Sequence, residues 1–547
     1  MLFETKKDNK IVSPYTPSNY PLFFTAILLY LYTFLYLNFV QRRHLKILII
    51  LNVILLVLIS NCYFNKIYFS ERTYESTYQL LIQNHIELYE KIQQKDKFKN
   101  LNLENTCVGY CYLNPTKRWC WKLPSFPVWI LSQMNHFNWQ SVNSLHVGLF
   151  LLNAYLDSRL RSENIKAVVQ ILAMGENDVR STPFCFLWMS VNDTYPIVVR
   201  ARVMQIWQKA WDPRPNFYFP YLISCPLENG KVFPKYVTIE NAQCPHGYSN
   251  LLPVVLPASV DPKRHTVVCV KGLDYSDDRS ARLIEWIEAN LLLGADKLTV
   301  YTYNVHPNME KVLHYYQNKG YVLHVSSSLP GNQPHSAWQR SRFIALNSQQ
   351  KRRNEILLYN DCLYRHLNSH IYVLPIDLDE LLVPIGGYRN WDEIVKFTTF
   401  KLHKTESNLS ALCARNAFYF DQLSSGRGNL HISVPRRMHM LRHRFRSSQI
   451  SNAGYYSKCF MRVDNVETAF NHFPFHKIRT ALEPTLFFAT EVALKNHYKD
   501  ACPKELTDDK CDKLMNDSIM DYNLAAFQQQ LVHRFRKVCA ELQFPTD

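Results

Sequence analysis

Between His265 and Ile376 the sequence alternates short β-prone apolar runs with longer stretches of helical periodicity, and few architectures accommodate that alternation. The run His265-Thr-Val-Val-Cys-Val-Lys271 is apolar at consecutive positions, which suits a strand buried on both faces. Residues 279–293 then place Leu283, Trp286, Ile287 and Leu291 at helical spacing and stop at Gly294. Residues 297–303 and 320–325 read as further strands, 306–318 as a helix, 336–368 as one long helical stretch and 371–376 as a fourth buried strand. Strands and helices in this order predict an α/β fold built on a doubly wound, mainly parallel sheet.

The fourth strand runs into Asp377-Leu378-Asp379-Glu380. In open α/β sheets ligands collect beyond the carboxyl ends of the strands, where loops converge. Carboxylates at i and i+2 of an extended turn present two hard oxygen ligands to one cation while Leu378 points the other way. Mg2+ or Mn2+ held so keeps positions for phosphate oxygens and, as a Lewis acid, stabilises charge building on a diphosphate. An isolated Asp-x-Asp is common by chance. What singles this one out is its place at a strand end, before Glu380 and the apolar Leu381-Leu382-Val383-Pro384.

A chain of 547 residues exceeds one compact core, and its first part reads differently from the rest. Two apolar runs, 21–40 and 45–60, flank Gln41-Arg42-Arg43-His44, and each is close to the ~20 residues that cross a bilayer. They read as a membrane anchor of one or two spans. Arg42, Arg43 and Lys46 stay cytosolic, which puts everything after Asn61 in the lumen. Of 14 cysteines, 13 lie beyond Cys62, and acceptor sequons stand at Asn192, Asn408 and Asn516, so an oxidising compartment and disulfides are expected. Cys107, Cys111 and Cys120 form one cluster, and Cys502 sits near Cys511. The net charge of +16 calls for an anionic partner. Absence of zinc-finger, basic-zipper and RNP-like patterns excludes nucleic acid and leaves a membrane surface or a phosphorylated small molecule. The organisation reads as a tail (1–20), a transmembrane region (21–64), a polar stem (65–104), a β-rich antiparallel subdomain (105–260), the α/β domain (261–505) and a C-terminal extension (506–547).

Spaced motifs across residues 150–500 carry a family resemblance. They are Ala154-Tyr155-Leu156-Asp157-Ser158-Arg159, Cys269-Val270-Lys271, Arg282-Leu283-Ile284-Glu285-Trp286-Ile287-Glu288 and Leu293-Gly294-Ala295-Asp296-Lys297. Asn360-Asp361-Cys362-Leu363-Tyr364-Arg365, the acidic turn itself, Ser457-Lys458-Cys459 and Asn496-His497-Tyr498-Lys499 follow in order. With these the chain resembles glycosyltransferase family 92. The resemblance implies a GT-A fold, a type II topology with the catalytic part in the lumen of the Golgi (or ER), and transfer of a hexose, galactose foremost, from a UDP-sugar to a glycan acceptor on glycoproteins or glycolipids. The alternative is an inactive member that binds glycans or serves as a partner subunit.

Within that frame Asp377 and Asp379 are the expected ligands of Mn2+ or Mg2+, with His497 or His472 as a later metal ligand. Lys271 and Glu285 are candidates to contact the nucleotide or, equally, a structural pair. An inverting transfer needs a carboxylate to take the acceptor's proton, and Glu380 and Asp421 are the candidates; Asp421 follows Phe418-Tyr419-Phe420, on which a sugar ring can stack. Glu380 has a second reading as support for the metal turn. The basic segment 435–446 is either a solvated face or a contact for diphosphate, lipid head groups or an acidic acceptor.

Overall fold

Val267 and Cys269 are buried in one apolar core and Val268 and Val270 in another, so the strand that carries them is covered on both faces. The computed structural model describes residues 123–547 apart from 132–138, 146–147, 161, 163, 177–178, 180–181, 229–232, 425–432, 480–481, 483–484 and 504–505, all within the unit Asn102–Asp547. The expected anchor, the stem and the cluster of Cys107, Cys111 and Cys120 lie outside the described residues. Among the described residues no helix is long and apolar enough to cross a membrane.

Among the described residues two nine-stranded sheets dominate, beside two of two strands each. The first runs from Gln140–Ser141 to Leu252–Val255, and its centre is the antiparallel trio Leu149–Asp157, Ala167–Glu176 and Tyr218–Leu227. It is the β-rich part expected before residue 260, with one parallel pairing, between Leu149–Asp157 and Leu252–Val255.

The second sheet begins with β1 (Arg264–Tyr275), α1 (Ser280–Leu293), β2 (Lys297–Val305), α2 (Pro307–Asn318) and β3 (Val322–Ser326). Helices α3 (Ala337–Leu346) and α4 (Ser348–Arg365) lead to β4 (His370–Pro375), followed by β5 (Glu380–Pro384), α5 (Trp391–Lys401), β6 (Ala411–Phe420), β7 (Lys458–Arg462), β8 (Ala493–Lys499) and α6 (Gln528–Leu542). The strand order is β3-β2-β1-β4-β7-β6-β8-β5, with Leu486–Phe487 paired to β6 off this path.

Strands β3, β2, β1 and β4 are parallel neighbours, as are β6 with β8 and β6 with Leu486–Phe487, whereas β4–β7, β7–β6 and β8–β5 are antiparallel. Parallel pairings thus outnumber antiparallel ones, and the antiparallel ones all lie from β4 onward. The helical stretch expected over 336–368 is two helices. Asn347, with φ −116° and ψ 60°, caps α3 and starts α4. The C-terminal segment is no appendage, because Leu531, Phe535 and Val538 of α6 join the core that holds Leu283 and Trp286.

Helix α4 lies between the two sheets, and every residue from Arg353 to Tyr364 is buried. A helix enclosed this way must pair each polar group it carries. Asp361 accepts bonds from Asn153 (2.6 Å) and Tyr155 (2.5 Å) of the first sheet, from Tyr301 (2.6 Å) of the second and from Arg365 (2.6 Å). Arg353 pairs with Asp212 (3.3 Å) and packs against the rings of Trp207, Phe217 and Phe219. Asn360 exchanges bonds with the backbone of Ala469, at 2.9 and 2.8 Å.

Disulfides are present, as expected, and one of them reinforces the α4 joint. Cys269–Cys362 ties β1 to α4, Cys413–Cys459 links β6 to β7, Cys185–Cys225 lies in the first sheet, and Cys502 pairs with Cys511.

Asp361→Ala strands Arg365 and three donors between the sheets, and a loss of about 3–5 kcal/mol in urea unfolding of the oxidised chain is expected. A shift under ~1 kcal/mol would mean that the sheets do not depend on this joint. A pH effect follows from His366, whose Nε2 meets Thr299 Oγ1 at 2.8 Å and whose imidazole is held down to about 3 by burial and by His370. The unfolded chain takes up this proton near the ordinary ~6.5 and the folded chain does not, so stability is full above pH 7 and falls toward pH 4. His366→Gln is expected to flatten that slope by on the order of 1 kcal/mol per pH unit between pH 5 and 6. An equal slope in both proteins would contradict the assignment.

Candidate functional site

The acidic turn is held on both sides by backbone. Ile376 N–H donates to Cys269 O (3.1 Å), which carries the β1–β4 pairing up to the turn, and Glu380 N–H donates to Asp377 O (3.0 Å), which closes it. The Asp377 N–H donates to Glu380 Oε2 at 3.1 Å. The chain then enters β5, where Glu380 stands opposite His497 of β8, and Tyr498 N–H donates to Asp379 O at 2.8 Å. Leu378 turns into the core, as the period-2 reading required. The aspartates, Glu380 and the 495–499 strand therefore meet, although more than a hundred residues separate them in sequence.

Four lysines answer the acids. Asp377 is approached by Lys271 (3.2 Å), Lys458 (3.6 Å) and the Tyr359 hydroxyl (3.1 Å); Lys271 also pairs with Glu355 at 3.4 Å. Asp379 pairs with Lys499 (2.8 Å) and faces His497 Nε2 (3.5 Å). Glu380 sits between Lys495 (2.6 Å) and Lys458 (3.3 Å), and all three side chains are almost fully enclosed. Burial alone would push these carboxyls up. Lys271 and Lys458 reverse it at Asp377, the His497 bond and Lys499 at Asp379, and Lys458 and Lys495 at Glu380, so all three are held well below the usual carboxylate range. The opposite pressure acts on the bases: burial and the neighbouring Lys495 push His497 down, and burial and Lys458 push Lys495 down.

The turn opens onto a cleft of ≈ 750 Å³. Lys271, Arg279, Arg282, Lys351, Arg352 and Lys499 line it together with Asp377, Asp379 and Glu380, so a small acidic floor is ringed by cations. Tyr275, Trp207 and Trp211 contribute flat apolar surface.

The other expected residues divide. Lys271 and His497 converge on the aspartates. Glu285 does not reach the cleft: its carboxylate accepts from the backbone N–H of His439 (2.5 Å), Met440 (3.0 Å) and Leu441 (2.8 Å), and burial raises it to about 7. It anchors the segment that brings His439 to the cleft wall. His472 lines the cleft but gives its Nδ1 to Ser457 O (2.8 Å) and packs by Trp211; burial and Lys458 hold it down to about 3. Asp421 bonds to His443 Nε2 at 2.8 Å. Much of the basic 435–446 segment is tied down, with Arg446 buried on Asp521 (2.9 Å) and Arg444 bonded to Gln528 (2.5 Å).

Lys458, Lys495, Lys499, Tyr359 and Glu355 were not among the expected site residues. Three of them fall in or beside the family-like motifs around Lys458 and 496–499, but the neighbours of these lysines in sequence give no local sign of the carboxylate each will face.

A divalent cation fits one part of this arrangement. Asp379 Oδ2 and His497 Nε2, 3.5 Å apart, are close to the roughly 3 Å separating adjacent ligands around a cation. Ligation at Nε2 needs the proton on Nδ1, which Lys495 approaches at 3.3 Å; the shorter Lys495–Glu380 bond, 2.6 Å, lets that contact loosen. Asp377 precedes Asp379 by two residues on the same turn.

Glu380→Gln removes the carboxylate paired with enclosed Lys495 and the nearer of the two that face Lys458, at 3.3 Å against 3.6 Å for Asp377, and a loss of about 3–5 kcal/mol in denaturant unfolding is expected. An unchanged midpoint would show that the two lysines do not depend on Glu380.

Residues 264–535 match the model of glycosyltransferase family 92. A stretch of 144 residues is 25% identical to Beta-1,4-galactosyltransferase galt-1 of Caenorhabditis elegans, covering 26% of this chain and 30% of that protein. The chain thus aligns with under a third of the curated relative's length. The family match begins at the first residue of β1, includes the acidic turn and the lysines that answer it, and ends within α6: over residues 264–535 the chain belongs to glycosyltransferase family 92.

Proposed function

We propose that this chain is a metal-dependent glycosyltransferase of the GT-A type that moves a hexose, galactose foremost, from a UDP-sugar to a glycan acceptor with inversion, from a membrane anchor in the lumen of the Golgi or ER. The observation that carries the reading is the cleft itself: two ionised aspartates at the carboxyl end of a parallel strand, ringed by Lys271, Arg279, Arg282, Lys351, Arg352 and Lys499. Neutral ligands would be attracted to neither set. A diphosphate with its counter-cation matches both, the cation on the acids and the phosphate oxygens on the ring of bases. When bound, Mn2+ or Mg2+ supplies Lewis-acid stabilisation of the departing diphosphate, with Asp377, Asp379 and His497 as its protein ligands.

The chain's own groups take separate roles in this reading. Lys271 and Lys499, on the aspartates at 3.2 and 2.8 Å, would be released toward phosphate oxygens were those carboxylates to hold a cation. Tyr275 and the tryptophans offer stacking surface for the base and the sugars. Glu380, enclosed between two lysines and held ionised, braces the turn through the Asp377 N–H and is a poor proton acceptor. Asp421, bonded to His443, is the remaining candidate base.

A second reading rests on the same lysines. Because Lys271 and Lys499 already neutralise the aspartates, the turn is satisfied without a cation, as a non-catalytic glycan-binding or partner subunit would need.

The purified full chain, screened with UDP-sugars over a glycan array, is expected to transfer with Mn2+ and not after chelation. Asp377→Asn and Asp379→Asn are each expected to lower the rate by about 100-fold or more while thermal unfolding shows a folded protein. No transfer from any donor by a folded wild-type chain would favour the second reading, and full activity after chelation would remove the metal.

A further inference from the structure

Helix α2 and edge strand β3 bring together Glu310, His314 and His324, none of which lines the acidic cleft. Glu310 and His314 are four residues apart and share one face of α2. His314 Nε2 lies 3.8 Å from Glu310 Oε1, and His324 Nδ1 lies 3.6 Å from the same oxygen. All three ligand atoms fall within 4.8 Å of one another.

His324 is positioned by its surroundings. Its Nε2 meets Thr302 Oγ1 of β2 at 2.8 Å, and its backbone N–H donates to Gln317 Oε1 of α2 at 3.1 Å. In the tautomer that carries its proton on Nε2 and gives it to the threonine, Nδ1 turns a lone pair toward Glu310. This is how a neutral imidazole is prepared for ligation, one nitrogen bonded to the protein and the other presented to the cation. The ring is 8% exposed, whereas His314 and Glu310 are 56% and 39% exposed and free to adjust.

We infer that Glu310, His314 and His324 form a zinc site at the edge of the second sheet. Two imidazoles with one carboxylate suit Zn2+ better than the oxygen-seeking Mg2+ or Mn2+. Tetrahedral ligands around Zn2+ stand about 3.3 Å apart, so the two spacings to Glu310, 3.8 and 3.6 Å, close by a few tenths of an ångström, and the two imidazole nitrogens, within 4.8 Å, close through the exposed His314. Three protein ligands leave a fourth position open. It faces a groove of ≈ 850 Å³ lined by Thr302, Asn304, Tyr315 and Ser326 among others, where a water or an oxygen anion completes the shell. The ion also clamps α2 to β3, which is paired on one side only.

The test is metal binding by the full purified chain, stripped with a chelator and titrated with Zn2+, with Co2+ absorbance as a signature of tetrahedral coordination. The wild-type chain is expected to bind one Zn2+ equivalent that His314→Ala and Glu310→Gln each weaken at least tenfold, with the tetrahedral Co2+ bands lost. The Asp377→Asn and Asp379→Asn chains keep that equivalent, which separates this site from the acidic cleft. Both test positions are exposed, so the variants fold, and their thermal midpoints in chelator check it. Absence of bound Zn2+ in the wild-type chain, or binding and Co2+ bands unchanged in both variants, would overturn the site.

Discussion

Enclosure of α4 between two sheets sets the terms for the rest of the structure. A helix covered on both sides cannot give its polar residues to water, so Arg353, Asn360 and Asp361 must each find partners in the chain that covers it, and those of Asp361 lie in the two large sheets. Those partners come from chain segments far apart, Asn153 and Tyr155 on one side and Tyr301 on the other. The same side chains that satisfy the helix therefore join two layers that share little else in sequence. Residues of both sheets and of α4 accordingly fall in one apolar core.

The helix also reaches the cleft. Tyr359 and Glu355 extend the polar stripe of α4 to Asp377 and Lys271. Around the acidic turn the requirement is repeated with full charges: Glu380, Lys458 and Lys495 are tolerable in the interior only together. Part of the chain's large positive charge is thus turned inward. The cations left at the surface of the cleft, such as Arg279 and Lys351, attract an anion from solution.

Much of the order along the chain was legible, because the 265–376 stretch is periodic and local. Strand β1, helix α1 and the aspartates at the end of β4 follow from apolar spacing and strand-end position, and the ordered motifs identified the family. The return of the sheet was not legible. Strands β6, β7 and β8 are paired across long gaps in the chain, and no local pattern states that Lys458 neighbours β4 or that His497 faces Glu380. Glu285 shows the converse. In sequence it is a carboxylate following a strand near a lysine; in the fold both its oxygens bond to the backbone of residues 439–441.

Sequence by itself determined which residues are chemically capable: two aspartates one residue apart, a strand to carry them, and histidines and lysines downstream in recognisable motifs. Tertiary structure decided which of them act on one another. Backbone pairing between β5 and β8 put His497, Lys495 and Lys499 on the acidic turn, and the packing of α4 added Tyr359 and Glu355. The physical reason is that hydrophobic periodicity is a short-range property of the chain, whereas ion pairing in a buried site depends on strand register between segments distant in sequence.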